Sequence, residues 1–185
     1  MNALSYILLP SAFGTLGVVW GHTPAGPRVH RVALPDKRAP TADLIQVSFA
    51  GASPGSCPPI TQLGQRLQRF LEGEALRFEL DLVALESCSD FQRRVLLAEH
   101  RIPRGWVSTY GGIAKYLGKP GGARAVGGAL AHNPFPIIVP CHRAVRSDGQ
   151  LGGFQGGQEM KRALLEFEGV VFSPTGRVLT DRVYY

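Results

Sequence analysis

Cys141 and His142 are neighbours in the stretch IIVPCHRAV (residues 137–145), behind an apolar run and ahead of Arg143. A cysteine attacks as its thiolate, which requires a nearby base or positive charge to draw off the proton. His142 is the obvious base, yet adjacent side chains on an extended segment point to opposite faces. Pairing therefore needs a turn at this point or a bridging water. The competing reading is a small core residue, the ordinary fate of a cysteine that follows an apolar strand such as FPIIVP. A third group comes from the segment QEMKRALLEFEG, where Lys161, Leu164, Leu165 and Glu168 recur at i, i+3, i+4 and i+7. Glu168 shares a helix face with two leucines, and a buried carboxylate needs a partner. His142 on the preceding strand would complete a nucleophile, base and orienting acid. The alternative is a solvent-facing Glu168 at a frayed helix end.

The elements that must hold these groups can be read from periodicity and turn residues. Residues 4–9, 13–20 and 28–34 read as strands, separated by Pro-Ser and by GHTPAGP. Residues 43–50 read as a fourth strand, and residues 76–85 alternate like a last one. Between them lies a helix from Ile60 to Glu72, closed by Gly73. DFQRRVLLAEH forms a helix with Asp90 as its N-cap. STYGGIAKYLG and ARAVGGALAHN form two short helices around the turn KPGG, which suggests a helix-turn-helix. The second of these is nearly bare, because Ala123, Gly127 and Ala131 fall on one face. Close helix packing would explain such a face. So would insertion into a DNA minor groove, only about 6 Å wide, with Arg124 directed at the bases.

Composition limits the wider reading. The 185 residues are 44% hydrophobic and 18% charged, as in a globular protein. The apolar N-terminus carries no basic leading segment and is broken by Pro10, Gly14 and Gly17, so neither a signal peptide nor a spanning helix is expected. The three cysteines form no disulfide framework, and neither they nor the histidines show metal-site spacing. Residues 1–90 hold 7 Lys and Arg against 8 Asp and Glu, whereas residues 91–185 hold 13 against 6. The basic excess lies in the half that carries the thiol. That pattern suits a solvated surface or a polyanion footprint, nucleic acid first.

Taken together, FQRRVL, IPRGWVSTYGGIAKYLG, ARAVGGALAHNPFPIIVPCHRAV, GQLGGFQGG and KRALLEFEG resemble the O6-alkylguanine-DNA alkyltransferases, also called methylated-DNA–protein-cysteine methyltransferases. The resemblance is dense over residues 90–170 and loose before them, where FGTLGVVW carries it. It implies an α+β fold: a small ribonuclease-H-like lobe over residues 1–86, and a mainly helical domain with a winged-helix-like helix-turn-helix over residues 87–185. It also implies direct-reversal DNA repair, with irreversible single-turnover transfer of an alkyl group from O6 of guanine, and from O4 of thymine, to Cys141. His142 would act as base through a water and Glu168 would orient it. Asn133 would brace the turn leading to the site, Tyr110 would donate to guanine N3, and Lys161 would lie near the departing oxygen. DNA would be met by Thr109, Tyr110, Gly111, Ala123, Arg124, Gly127 and Ala131, with Arg124 filling the gap left by the flipped nucleotide. Leu130, Pro136, Ala144, Leu151, Phe154 and Gln155 would line the pocket.

No cofactor is expected, and the zinc site of some family members is not expected here, because no ligand cluster is visible in the N-terminal lobe. The partner would be double-stranded DNA carrying O6-alkylguanine, bound by a monomer, with cooperative assembly on DNA left open. A cytoplasmic location follows, or a nuclear one in a eukaryote. Phe154 stands where tyrosine is common in the family, Gln155 where a small residue is common, and Ala144 where valine is usual. None of these departures removes a reacting atom. The alternative function is a non-catalytic protein that binds alkylated DNA and recruits other repair; the presence of Cys141 favours transfer.

Overall fold

A computed structural model of the chain describes residues 3–185. Its contacts divide it into two compact units, Met1–Ser87 with Pro134–Pro136, and Cys88–Asn133 with Ile137–Tyr185.

The first unit is built on a four-stranded sheet in the order β3-β2-β1-β4, formed by β1 (Leu4–Leu9), β2 (Leu16–Thr23), β3 (Gly26–Ala33) and β4 (Ser53–Pro54). The first three strands run antiparallel and β4 pairs parallel to β1. Strand β2 is central, and Leu16, Val18, Val19 and Trp20 on it are buried. The segment GHTPAGP is not the separator expected from its composition. Both strands extend into it and leave a two-residue turn, which Thr23 closes by donating its hydroxyl to the Gly26 carbonyl at 2.8 Å.

Residues 43–50 are a second correction. Their β-branched and aromatic content suggests a strand, but Thr41–Ser48 is a helix, α1. Thr41 and Ile45, four apart, face inward and come down where Gly17 leaves room on β2. Tertiary contact at helical spacing outweighs local β preference here. Helix α2 (Pro58–Leu71) starts on paired prolines and lies close to β1 through Gly64, where a Cβ would sit 3.0 Å from an Ile7 methyl. The alternating residues 76–85 form no strand. They meet the edge of β3 only around Val29, through the amide bonds Val29 to Leu82 and Ala84 to Val29.

The second unit contains α3 (Asp90–Arg101), β5 (Ser108–Thr109), α4 (Tyr110–Tyr116), α5 (Ala123–Ala131), β6 (Ala144–Val145), α6 (Gly157–Phe167), β7 (Val171–Phe172) and β8 (Val178–Leu179). Helix α3 is capped one residue earlier than Asp90, by Ser89, whose hydroxyl accepts from the Gln92 amide. Gln92 then donates to the Ala129 and His132 carbonyls and fastens α3 to the end of α5. Thr109 caps α4 by accepting from the Gly112 amide at 2.9 Å. Short parallel pairing of β5 with β6 joins the start of α4 to the segment that follows Arg143. Beneath these lies a core of Val107, Val145, Leu151, Leu165 and Val170. The chain is thus an α+β protein with a small sheet lobe and a mainly helical domain. No helix among the described residues is long and apolar enough to cross a membrane.

Candidate active site

FPIIVP does not form the strand expected ahead of Cys141. Ile137 takes φ +74°, a left-handed conformation that β-branched residues rarely adopt, and the chain then enters a short 3-10 turn over Cys141–Arg143. The turn matters chemically. It removes the extended geometry that would have sent the thiol and the imidazole to opposite faces.

Glu168 ends α6 as its C-cap, and its side chain is wholly buried rather than frayed into solvent. Nε2 of His142 meets Oε1 of Glu168 at 3.0 Å. The same carboxylate accepts from Nε of Arg143 at 2.9 Å and from its Nη2 at 2.7 Å, while Nη1 donates to the Ile102 carbonyl. Arg143 is therefore a principal partner of Glu168. Motif spacing did not single it out, because it reads as the basic residue after the Cys-His pair. Burial alone would raise the Glu168 pKa; the His142 and Arg143 contacts outweigh it and hold the carboxyl at about 2. Burial also lowers the His142 pKa, against the pull of Glu168. The ring is neutral at rest, and with Nε2–H turned to the carboxylate its basic lone pair is on Nδ1.

Cys141 lies on the wall of a cavity of about 340 Å³ lined by Tyr110, Gly127, Leu130, Ala131, Gly153, Phe154 and Gln155. Burial pushes its thiol up to about 12, although the Asn133 side chain hydrogen-bonds it and Lys161 lies near, both acting in the opposite direction. The resting group is a thiol. Asn133 also donates to the Val139 carbonyl at 3.2 Å, tying the end of α5 to the approach to the turn. Gln155, on the opposite loop, donates to the Asn133 carbonyl at 2.7 Å. Tyr110 faces the cavity from the start of α4, its phenol pushed up to about 12 by burial and then by Glu99 and Cys141. Gly152, at φ +69°, leaves space for it, since a Cβ there would come within 2.7 Å of the Tyr110 hydroxyl.

Lys161 is fully buried beside the cavity. Its ammonium donates to the Ala144 and Leu151 carbonyls at 2.6 Å each and to Gly153 at 3.3 Å, with the Tyr110 hydroxyl at 3.5 Å. Burial lowers its pKa to about 8 against the pull of Cys141 and Glu99.

The structure thus brings Cys141, His142, Glu168, Tyr110, Lys161 and Asn133 into one region, and Leu130, Phe154 and Gln155 onto the cavity wall. Three expected lining residues are not on that wall. Ala144 is buried in β6, Leu151 packs into the core, and Pro136 belongs to the first unit. Gly153, between Leu151 and Phe154 in the loop expected to line the pocket, is on the wall as well. On α5, Arg124 and Gly128 are exposed, and a Cβ at Gly128 would touch nothing within 4 Å. Close helix packing therefore does not account for that glycine. Gly127 and Ala131 open onto the cavity, Ala123 is half-buried at the start of α5, and Gly111 is exposed on α4. Among the described residues, no group of three or more His, Cys, Asp or Glu side chains converges as metal ligands would.

Residues 90–170 match the family profile described as 6-O-methylguanine DNA methyltransferase, DNA binding domain. A methylated-DNA–protein-cysteine methyltransferase of Methanothermobacter thermautotrophicus is 39% identical over 157 residues, covering 84% of this chain and 80% of the relative. The crystal structure of Mycobacterium tuberculosis OGT in complex with DNA is similar with a TM-score of 0.71 and 33% identity, over 89% of this chain and 92% of that one. The O6-methylguanine-DNA methyltransferase of Pyrococcus kodakaraensis matches with a TM-score of 0.66 and 28% identity, over 90% and 99% of the two chains.

Proposed function

The chain belongs to the methylated-DNA–protein-cysteine methyltransferase family, and from that premise we propose that it repairs DNA by taking an alkyl group from O6 of guanine onto Cys141. The same chemistry extends to O4 of thymine. The observation that carries this reading is the Cys141 thiol on the cavity wall, next in sequence to a histidine held by a buried carboxylate.

The alkylated position is hidden within the duplex, so the base must leave the stack to reach the cavity. The open face of α5 offers the approach to the minor groove, and Arg124, exposed near its start, occupies the space the nucleotide vacates. Thr109 and Gly111 bring the start of α4 to the backbone. The substrate is double-stranded DNA carrying the lesion, and the acting species is a monomer. In this reading residues 1–86 form a ribonuclease-H-like lobe and residues 87–185 the alkyltransferase domain.

The transfer begins with removal of the thiol proton to His142 through a bridging water. Glu168 stabilises the imidazolium that results. The sulfur forms a bond to the alkyl carbon, the bond from that carbon to O6 breaks, and the electron pair leaves with guanine. Tyr110 donates its proton to N3 of the departing purine. The proton held by His142 then restores the phenol, so the thiol proton ends on guanine. The product is a thioether, a poor leaving group, and the protein acts once.

Incubation with an oligonucleotide containing O6-methylguanine should add one methyl group to the peptide bearing Cys141, read by mass spectrometry, and Cys141→Ala should gain nothing. An intact protein that binds the oligonucleotide without gaining mass would be a damage-recognition protein, and the transfer reading would be wrong.

A further inference from the structure

Glu99 lies on the inward side of α3 with no exposed surface, and among the described residues neither of its carboxyl oxygens has a hydrogen-bond partner. The alkyl transfer described above makes no use of it. The groups that act on it come from each surrounding element: Lys161 of α6, Arg143 and Cys141 of the 3-10 turn, and Tyr110 of α4. The Ala144 amide is close enough to favour its ionised form but falls short of good hydrogen-bond geometry.

The two cations near it differ. Arg143 is committed to Glu168 through two short contacts. Among the described residues Lys161 has only neutral oxygens as hydrogen-bond partners, and its three carbonyl acceptors call for the three N–H donors of an ammonium. A buried ammonium needs a negative counterpart. Two groups act on Lys161 in that sense, Cys141 and Glu99.

We propose that Glu99 is a positioning residue for the transfer, a reserve counter-charge that competes with the Cys141 thiolate for Lys161. Ionised Glu99, charged Lys161 and a neutral thiol make an electrically balanced set. Protonated Glu99, charged Lys161 and a thiolate make another, with the same number of protons. Ionising both acids leaves an excess negative charge at a buried site, so the thiolate forms while Glu99 holds a proton. Burial pushes Glu99 up to about 8 against the pull of Lys161 and Arg143. Below that pH Glu99 holds a proton from solvent and leaves Lys161 as counter-charge to the thiolate, whose own proton passes to His142; above it Glu99 ionises and takes Lys161 for itself.

This inference rests on Cys141 being the nucleophile, and its test reads the thiol without DNA. The rate at which iodoacetamide labels Cys141 is followed against pH by peptide mapping, in the wild type and in Glu99→Gln. We expect the midpoint to fall by about one pH unit in E99Q, which is about tenfold faster labelling below it. Lys161→Met should move the midpoint upward, and adding E99Q to K161M should have a much smaller effect than E99Q alone. Glu99→Met, apolar and of similar length, repeats the measurement if E99Q does not fold. A midpoint unchanged in the folded Glu99 variant, or an equal effect with and without Lys161, overturns the proposal. Methyl transfer to O6-methylguanine DNA is scored separately. Transfer with an unmoved midpoint rejects the counter-charge alone, and a moved midpoint without transfer rejects only the repair function.

Discussion

Two buried carboxylates lie within one domain and behave in opposite ways. Glu168 accepts from His142 and twice from Arg143, and its pKa is held at about 2. Glu99, equally hidden, has no such donors, and burial raises it to about 8. Both are buried, and the difference follows mainly from the donors around them. A carboxylate that receives charge-assisted hydrogen bonds is a fixed anion, suited to holding an imidazole in one tautomer. One that is only near a cation, without contacting it, keeps a proton that can be moved.

The sharpest way to break this comparison is to remove the fixed anion. Glu168→Ala leaves Arg143 buried without its carboxylate, and we expect a loss of about 3–5 kcal/mol in urea denaturation, together with loss of methyl transfer. A loss under 1 kcal/mol would mean that Arg143 finds another partner and that Glu168 is not fixed in the sense argued.

Stability against pH separates the two acids by sign. The Glu168 pKa is depressed from 4.5, so its contribution is present above pH 4.5 and is lost as pH falls toward about 2. The Glu99 pKa is raised from 4.5, so the folded state is favoured below pH 4.5, and that advantage drains away as pH rises through about 8. Each limb has a slope of at most about 1.4 kcal/mol per pH unit. Thermal melts across this range should show E99Q losing the decline between pH 4.5 and about 8 while retaining the acid one; a parallel shift of the whole curve would contradict the assignment. The smallest effect is a control. Glu166 and Arg162 pair on the exposed side of α6 at 2.9 Å, and Glu166→Gln should cost about 0.3–0.5 kcal/mol with no change in either limb.

How much of this the chain reveals beforehand depends on which interactions are local. Spacing with Leu164 and Leu165 is enough to place Glu168 inward, and the same argument applied to Val95 and Ile102 puts Glu99 on the buried side of α3. That second signal is present in the residues but competes with a helix that otherwise reads as ordinary and charged. The short helices α4 and α5, with their Thr109 cap and Gly118 stop, are legible because their determinants lie within a few residues. The turn at Cys141 is not. It depends on Ile137 held at positive φ within a packed core, which apolar composition cannot distinguish from a strand. Arg143 was missed as the main partner of Glu168 for the same reason, since the turn decides where it points. In the sheet lobe, α1 was read as a strand because its inward pair, Thr41 and Ile45, is set by the gap at Gly17, far away in the chain.

The pairing of Ser108–Thr109 with Ala144–Val145 is only two residues long on each side. It sets Thr109, the cap of α4, against Val145 and Ser108 against Ala144, the residue that follows Arg143, so α4 and the turn bearing Cys141 share a short link. A displacement of α4 would reach the Cys141 sulfur with no long loop between them to absorb it.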